Sequence, residues 1–125
     1  MFLDTTFLIS LLEEIESRAV GPARQFLGRH RAQTHHVTVI SLGEIAAGMR
    51  NNQAARDFLS RFRIVTLKAE VALEAAAIDR ELIRLGQRLG ENDNWIAGFA
   101  RYYGEPLVSN DTAFDRVVGL RRISH

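Results

Sequence analysis

The sequence predicts an α/β fold: a three-layer α/β/α sandwich around a mostly parallel sheet of four or five strands. Short runs of apolar and β-branched residues alternate with segments whose apolar residues recur at helical spacing. One such segment, Val71, Ala75, Ile78, Leu82, Leu85 and Leu89, steps by 4, 3, 4, 3 and 4 with charged residues between, as expected of a helix lying on a sheet. The 125 residues contain no repeat, linker or low-complexity tract, so residues 1–125 are read as one domain with its own core.

Taken in order, Phe2-Leu3 is a strand that ends at Asp4, and Phe7, Leu8, Leu11, Leu12 and Ile15 form the apolar face of a first helix. Gly21-Pro22 breaks that helix and opens a second, which carries Phe26 and Leu27. Thr34 to Ile40 reads as a β-branched strand, and Ser41 with Glu44 has the spacing of a capping box for the next helix. Ala54 to Phe62 is a helix and Ile64 to Leu67 a strand, followed by the long amphipathic helix. Asn92 or Asp93 starts a helix through Trp95, Phe99 and Tyr103, which Gly104 and Pro106 stop. Leu107 to Ser109 is a strand, Asn110-Asp111 begins a turn or short helix, and Arg122-Ile123 is a last strand.

Composition removes several chemistries. With no cysteine there is no disulfide, thiolate metal site or thiol nucleophile. No apolar run reaches the roughly 20 residues of a membrane span. Asp4 interrupts the first apolar stretch and no Lys or Arg precedes Arg18, unlike a secretion signal, so the expected location is the cytoplasm. The net charge of +1 says little, but the basic residues are Arg except for Lys68, and Arg suits phosphate. His30, His35, His36 and His125 lack metal-motif spacing and are read as non-catalytic.

The chemistry is expected from four acids. In an open parallel sheet, ligands bind outside the carboxyl ends of the strands. Asp4 and Asp111 follow two such strands, Glu44 lies one helical turn beyond another, and Asp93 sits in the first turn of its helix. Each has an ordinary alternative as a cap or turn residue. Together they converge on one end of the sheet, where carboxylates repel one another unless a hard cation such as Mg²⁺ or Mn²⁺ neutralises them.

The segments Leu3-Asp4-Thr5-Thr6-Phe7-Leu8-Ile9, Ser41-Leu42-Gly43-Glu44-Ile45, Asn92-Asp93-Asn94-Trp95-Ile96-Ala97 and Leu107-Val108-Ser109-Asn110-Asp111 resemble the blocks of PIN-domain ribonucleases, most closely the VapC-like toxins of toxin-antitoxin pairs. The resemblance covers essentially the whole chain. It implies an endoribonuclease whose catalytic acids are Asp4, Glu44, Asp93 and Asp111, with Asp4, Asp93 and Asp111 holding Mg²⁺ or Mn²⁺. Water is then the nucleophile, and the products carry 5′-phosphate and 3′-hydroxyl ends. Thr6 and Ser109 are expected to support Asp4 or a bound water; Asp115 is read first as a solvated helix residue, with holding a water or second ion as the alternative. Asn94, where a hydrophobic residue is common, departs from the pattern. The resemblance also implies RNA as substrate, a VapB-like antitoxin whose tail covers the acids, and a homodimer through the N-terminal helices, for which Leu8, Leu11, Leu12 and Ile15 offer a face that core burial mostly explains.

With the four acids set aside, 16 basic residues face 11 of the 15 acidic ones, enough for a phosphate-binding rim to which Arg24, Arg29, Arg31, Arg50 and Arg116 are candidates. Three alternatives are weaker. A haloacid-dehalogenase-like phosphatase needs a second Asp where Thr6 stands, and a receiver domain needs paired acids at the first strand and a suitably placed Lys. A binding module with the acids as caps would gain no stability from a divalent cation. An RNA-processing PIN nuclease outside any toxin pair is the remaining variant.

Overall fold

In the computed structural model, which describes residues 1–125, five parallel strands form one sheet. They are β1 (Phe2–Leu3), β2 (His36–Thr38), β3 (Arg63–Val65), β4 (Leu107–Val108) and β5 (Arg122–Ile123), in spatial order β3-β2-β1-β4-β5. Phe2 is level with His36 and Leu107, and Val108 with Ile123, so the strands end along a common edge. Parallel strands require long crossovers. Helices α1 (Thr5–Glu16), α2 (Pro22–Arg29), α3 (Val39–Ala47), α4 (Asn52–Leu59), α5 (Ala69–Arg84) and α6 (Glu91–Tyr103) supply them.

The pleat sorts side chains into two cores, because successive strand residues face opposite ways. Leu3, Val37 and Val108 pack with Phe7, Leu8, Leu11, Phe26 and Leu59 on one side. Phe2 and Leu107 pack with Val71, Ile78, Leu82, Ile96 and Phe99 on the other. This makes the three layers. On the second side, α5 and α6 lie so close that a Cβ on Gly98 would stand 2.8 Å from the Ala75 Cβ. Arg101 fastens the pair by reaching Glu74 at 2.6 Å and Glu81 at 2.9 Å.

Several boundaries differ from the sequence reading. The strand expected over 34–40 ends at Thr38, whose hydroxyl accepts the Ser41 N–H at 3.1 Å and caps α3 at Val39. The Ser41/Glu44 capping box therefore does not form; Ser41 is already inside the helix, and Glu44 is free for another partner. The long helix stops at Arg84, and Gly86, at φ +65°, turns the chain so that Leu89 still joins the second core. Helix α6 begins at Glu91 behind a Gly90 cap, which makes Asp93 its third residue. Of the apolar face of α1, Leu8 and Leu11 are buried in the first core and so are not open to a second copy, with Leu12 and Ile15 packed partly against that core and Ile9 exposed.

Strands β1, β2 and β3 step outward in one direction and β4, β5 in the other. The winding reverses between β1 and β4, and a crevice opens at the carboxyl end of such a switch point.

Candidate functional site

Asp4 and Asp111 emerge on the two sides of that crevice. Asp4 leaves β1 with extended backbone and caps α1, its Oδ1 accepting the Thr5 N–H at 2.8 Å. Its Oδ2 accepts the hydroxyls of Thr6 at 2.8 Å and Ser109 at 2.7 Å. Hydrogen bonds to a carboxylate favour its charged form, but Asp4 is only 2% exposed, and burial, with a smaller contribution from Asp111, pushes its carboxyl above the ordinary range. Ser109 is fully buried and serves both acids, since its Oγ also accepts the Asp111 N–H at 3.0 Å. The exposed Asp111 caps a 3₁₀ turn, Thr112–Arg116, through the Ala113 N–H.

Glu44 projects from the middle of α3, where its Oε1 accepts the Thr5 hydroxyl at 2.8 Å. With Gly90, Glu91, Asn92 and Asp93 it lines a cavity of ≈ 360 Å³. Asp93 has no capping role, because α6 is capped by Gly90. Its carboxyl is pushed up to about 6, first by burial and then by the charges of Asp4, Asp111 and Glu44. The four acids, from four distant parts of the chain, therefore share one electrostatic site.

An acidic, all-oxygen site of this kind suits a hard divalent cation rather than a thiophilic one. No three Asp, Glu or His side chains are arranged to enclose an ion unaided. An ion here would keep several water ligands, as Mg²⁺ does.

Asp115 does not join the cleft. Arg122 grips both its oxygens, at 2.9 and 3.0 Å, and holds its carboxyl below the usual range. The fork geometry of a guanidinium explains the preference. The same Arg122 donates to the Ser109 carbonyl at 3.1 Å and so braces the turn between Asp4 and Asp111. Sequence reasoning passed over Arg122, as it did Thr5, Thr38 and Ser41. The available signal was that Ser41 and Glu44, three apart, share a face of their helix.

Among the rim candidates, Arg50 shares a groove with Glu44, whereas Arg116 donates to the backbone carbonyls of Gln87 and Arg88 and Arg24 to that of Ala19. His35 and His36 lie at the opposite end of the sheet, where β2 begins and His36 approaches Glu105 at 3.1 Å. Burial depresses both His35 and His125. Asn94 turns away from the acids and donates to the Ala75 carbonyl at 2.8 Å, linking α6 to α5.

A family model described as PIN domain matches residues 1–120. Ribonuclease VapC2 of Haemophilus influenzae is 42% identical over 73 residues, 58% of this chain and 55% of that protein. The tRNA(fMet)-specific endonuclease VapC of Shigella flexneri is 40% identical over a stretch of the same length and coverage. The matched stretch thus spans about half the length of these curated relatives. Among solved structures, VapBC2 from Rickettsia felis bound to a promoter DNA fragment has a TM-score of 0.83 at 25% identity, covering 98% of this chain and 96% of that one. DNA-bound VapBC from Salmonella typhimurium has a TM-score of 0.81 at 24% identity, with 98% and 96% covered, a likeness of fold. Order, topology and the matched family model agree: the chain belongs to the PIN domain family.

Proposed function

We propose that this protein is a divalent-cation-dependent endoribonuclease of the VapC toxin kind, which hydrolyses RNA phosphodiester bonds with water and is neutralised by a VapB-like antitoxin. The observation that carries the proposal is the convergence of Asp4, Glu44, Asp93 and Asp111 at the β1/β4 crevice, where mutual repulsion helps lift Asp93 to about 6. A set of helix caps does not explain it. Asp4 and Asp111 cap, but Asp93 and Glu44 do not, and these two line one cavity. The names of the relatives point the same way.

In this reading Asp4, Asp93 and Asp111 hold Mg²⁺ or Mn²⁺, which when bound lowers the pKa of a water and offsets charge on the phosphoryl oxygens. Thr6 and Ser109 fix the Asp4 carboxylate, and Ser109 ties it to the Asp111 backbone. Glu44, which lines one cavity with Asp93, orients the attacking water and receives its proton. Arg50 is the rim residue best placed for an RNA phosphate, since it lies beside Glu44.

The partner reading has its own support. A groove of ≈ 680 Å³ between α1, α3 and α4 combines apolar Ile9, Leu12, Ile45 and Met49 with Glu13, Glu16 and Glu44. An antitoxin segment with an apolar face and an Arg reaching Glu44 would match it. A homodimer belongs to the same proposal, but Leu8 and Leu11 are buried in the first core and do not supply its contact. No helix is long and apolar enough to cross a membrane. A cytoplasmic location completes the proposal.

The test is cleavage of total cellular RNA by purified protein in Mg²⁺, Mn²⁺ or EDTA, with Asp4→Asn as control. Cleavage that EDTA and Asp4→Asn both abolish is expected; cleavage that survives either one contradicts the proposal.

A further inference from the structure

We propose that Thr5 is a positioning residue for Glu44, acting through a one-way chain of hydroxyl hydrogen bonds that fixes the orientation of the Glu44 carboxylate. The proposal rests on the reading of Glu44 as one of the acids of a nuclease site.

Proton counting fixes the direction of the chain. Thr5 Oγ1 donates to Glu44 Oε1 at 2.8 Å. A hydroxyl carries one proton, so in the 2.8 Å contact between Thr5 Oγ1 and Ser41 Oγ the donor is Ser41. Ser41 Oγ in turn accepts from Thr38 Oγ1 at 3.4 Å, and Thr38 Oγ1 accepts the Ser41 backbone N–H at 3.1 Å. Each hydroxyl proton is committed, and every step points toward the carboxylate. Thr38 and Ser41 are fully buried and Thr5 is 7% exposed. The three hydroxyls come from the end of β2, the first turn of α3 and the first residue of α1, so packing of three elements sets the chain before any substrate arrives.

Glu44 needs such a restraint. Its side chain is exposed and lines two cavities: the ≈ 360 Å³ pocket that contains Asp93, and the ≈ 680 Å³ groove that contains Ile9, Leu12 and Arg50. Repulsion from Asp93 and attraction to Arg50 both draw the carboxylate toward the groove. The Thr5 hydroxyl holds one carboxylate oxygen in place against them.

Thr5→Val keeps the side-chain shape and removes the donor, whereas Thr5→Ser keeps the donor. In RNA cleavage with Mn²⁺, Thr5→Val is expected to lower kcat by about ten- to a hundredfold with KM changed less than about twofold, and Thr5→Ser to recover most of the loss. Wild-type kcat in Thr5→Val, or a Thr5→Ser protein as slow as Thr5→Val, would overturn the proposal. A second readout needs neither metal nor activity. In thermal unfolding with EDTA, the Tm shifts of Thr5→Val and Glu44→Ala should be non-additive in the double variant; strict additivity would overturn the chain itself. Full cleavage by Glu44→Ala with a non-additive Tm cycle would instead overturn the catalytic reading of Glu44, and the positioning role with it.

Discussion

Replacing Asp93 by Asn should stabilise the metal-free protein at neutral pH while removing its function. The Asp93 carboxyl is lifted from 3.8 to about 6 in the fold. Below 3.8 the group is protonated in both folded and unfolded chains and contributes no difference. Between 3.8 and 6 the unfolded chain ionises first, so the native state loses stability as pH rises, and above 6 the whole penalty is present. Two pKa units correspond to about 3 kcal/mol. Asp93 is only half-buried, and screening by solvent reduces this to about 1.5 kcal/mol. Removing an acid from the first turn of α6 loses about 0.5 kcal/mol of favourable dipole interaction. The repulsion wins. Asp93→Asn should gain about 1 kcal/mol at pH 7.5, which raises Tm by roughly 3 to 5 °C in a domain of this size. The assay is thermal unfolding in EDTA across pH 4 to 8, repeated with Mg²⁺. The advantage of the variant should shrink as pH falls below 6, and Mg²⁺ should raise the Tm of the wild type more than that of the variant. A variant no more stable than wild type at pH 7.5, or one whose gain is the same at pH 4, would refute the reasoning.

Other substitutions probe the scaffold and its links to the acids. Ser109→Ala removes a donor to Asp4 and the acceptor of the Asp111 N–H inside the fold; a loss of about 1 to 3 kcal/mol by urea unfolding is expected, with a higher Mg²⁺ midpoint for any cleavage. Gly98→Ala drives a methyl to 2.8 Å from the Ala75 Cβ and 3.1 Å from its backbone nitrogen, which should cost about 1 to 3 kcal/mol in the same measurement; an unchanged midpoint would mean that α5 and α6 separate freely. Asp115→Ala should leave Mn²⁺ affinity as it is in calorimetry, because that carboxylate is occupied by Arg122; a fall in affinity would return Asp115 to the metal site.

The fold was legible in the sequence wherever periodicity was carried by burial. Phe2-Leu3, Leu107-Val108 and, in the run from Val71, Val71, Ala75, Ile78, Leu82 and Leu89 occupy the core positions their spacing implies, because a sheet buried on both faces demands apolar strands and one-sided helices, whereas Leu85, just past the end of α5, is exposed. Boundaries were less legible, since local hydrogen bonds compete at the ends of elements. Thr38 and Ser41 both have hydroxyls able to cap α3, and only the packing of β2 beside β1 and β3 selects Thr38. The four acids could be placed near one another because Asp4 and Asp111 follow strands, Asp93 lies in the first turn of its helix and Glu44 lies in the helix that follows β2, all toward the same edge. Their supporting groups could not. Arg122 lies far along the chain from Asp4, and its contact with the Ser109 carbonyl exists only once β5 is laid beside β4. The diversion of Asp115 follows from that same pairing. The apolar face of α1 was ambiguous for a different reason: a sequence shows that Leu8 and Leu11 must be buried, but not whether a sheet or a second chain buries them.

The central claim is that the acids at the β1/β4 crevice direct a water, rather than the ribose 2′-hydroxyl, to the phosphorus. The ends of the RNA products decide it. A defined RNA that the protein cleaves in Mg²⁺ or Mn²⁺ should yield 5′-phosphate and 3′-hydroxyl ends, seen as ligatable 5′ ends and extendable 3′ ends, and Asp4→Asn or EDTA should remove the products altogether. Products ending in 2′,3′-cyclic phosphate, or cleavage indifferent to Asp4, would contradict it.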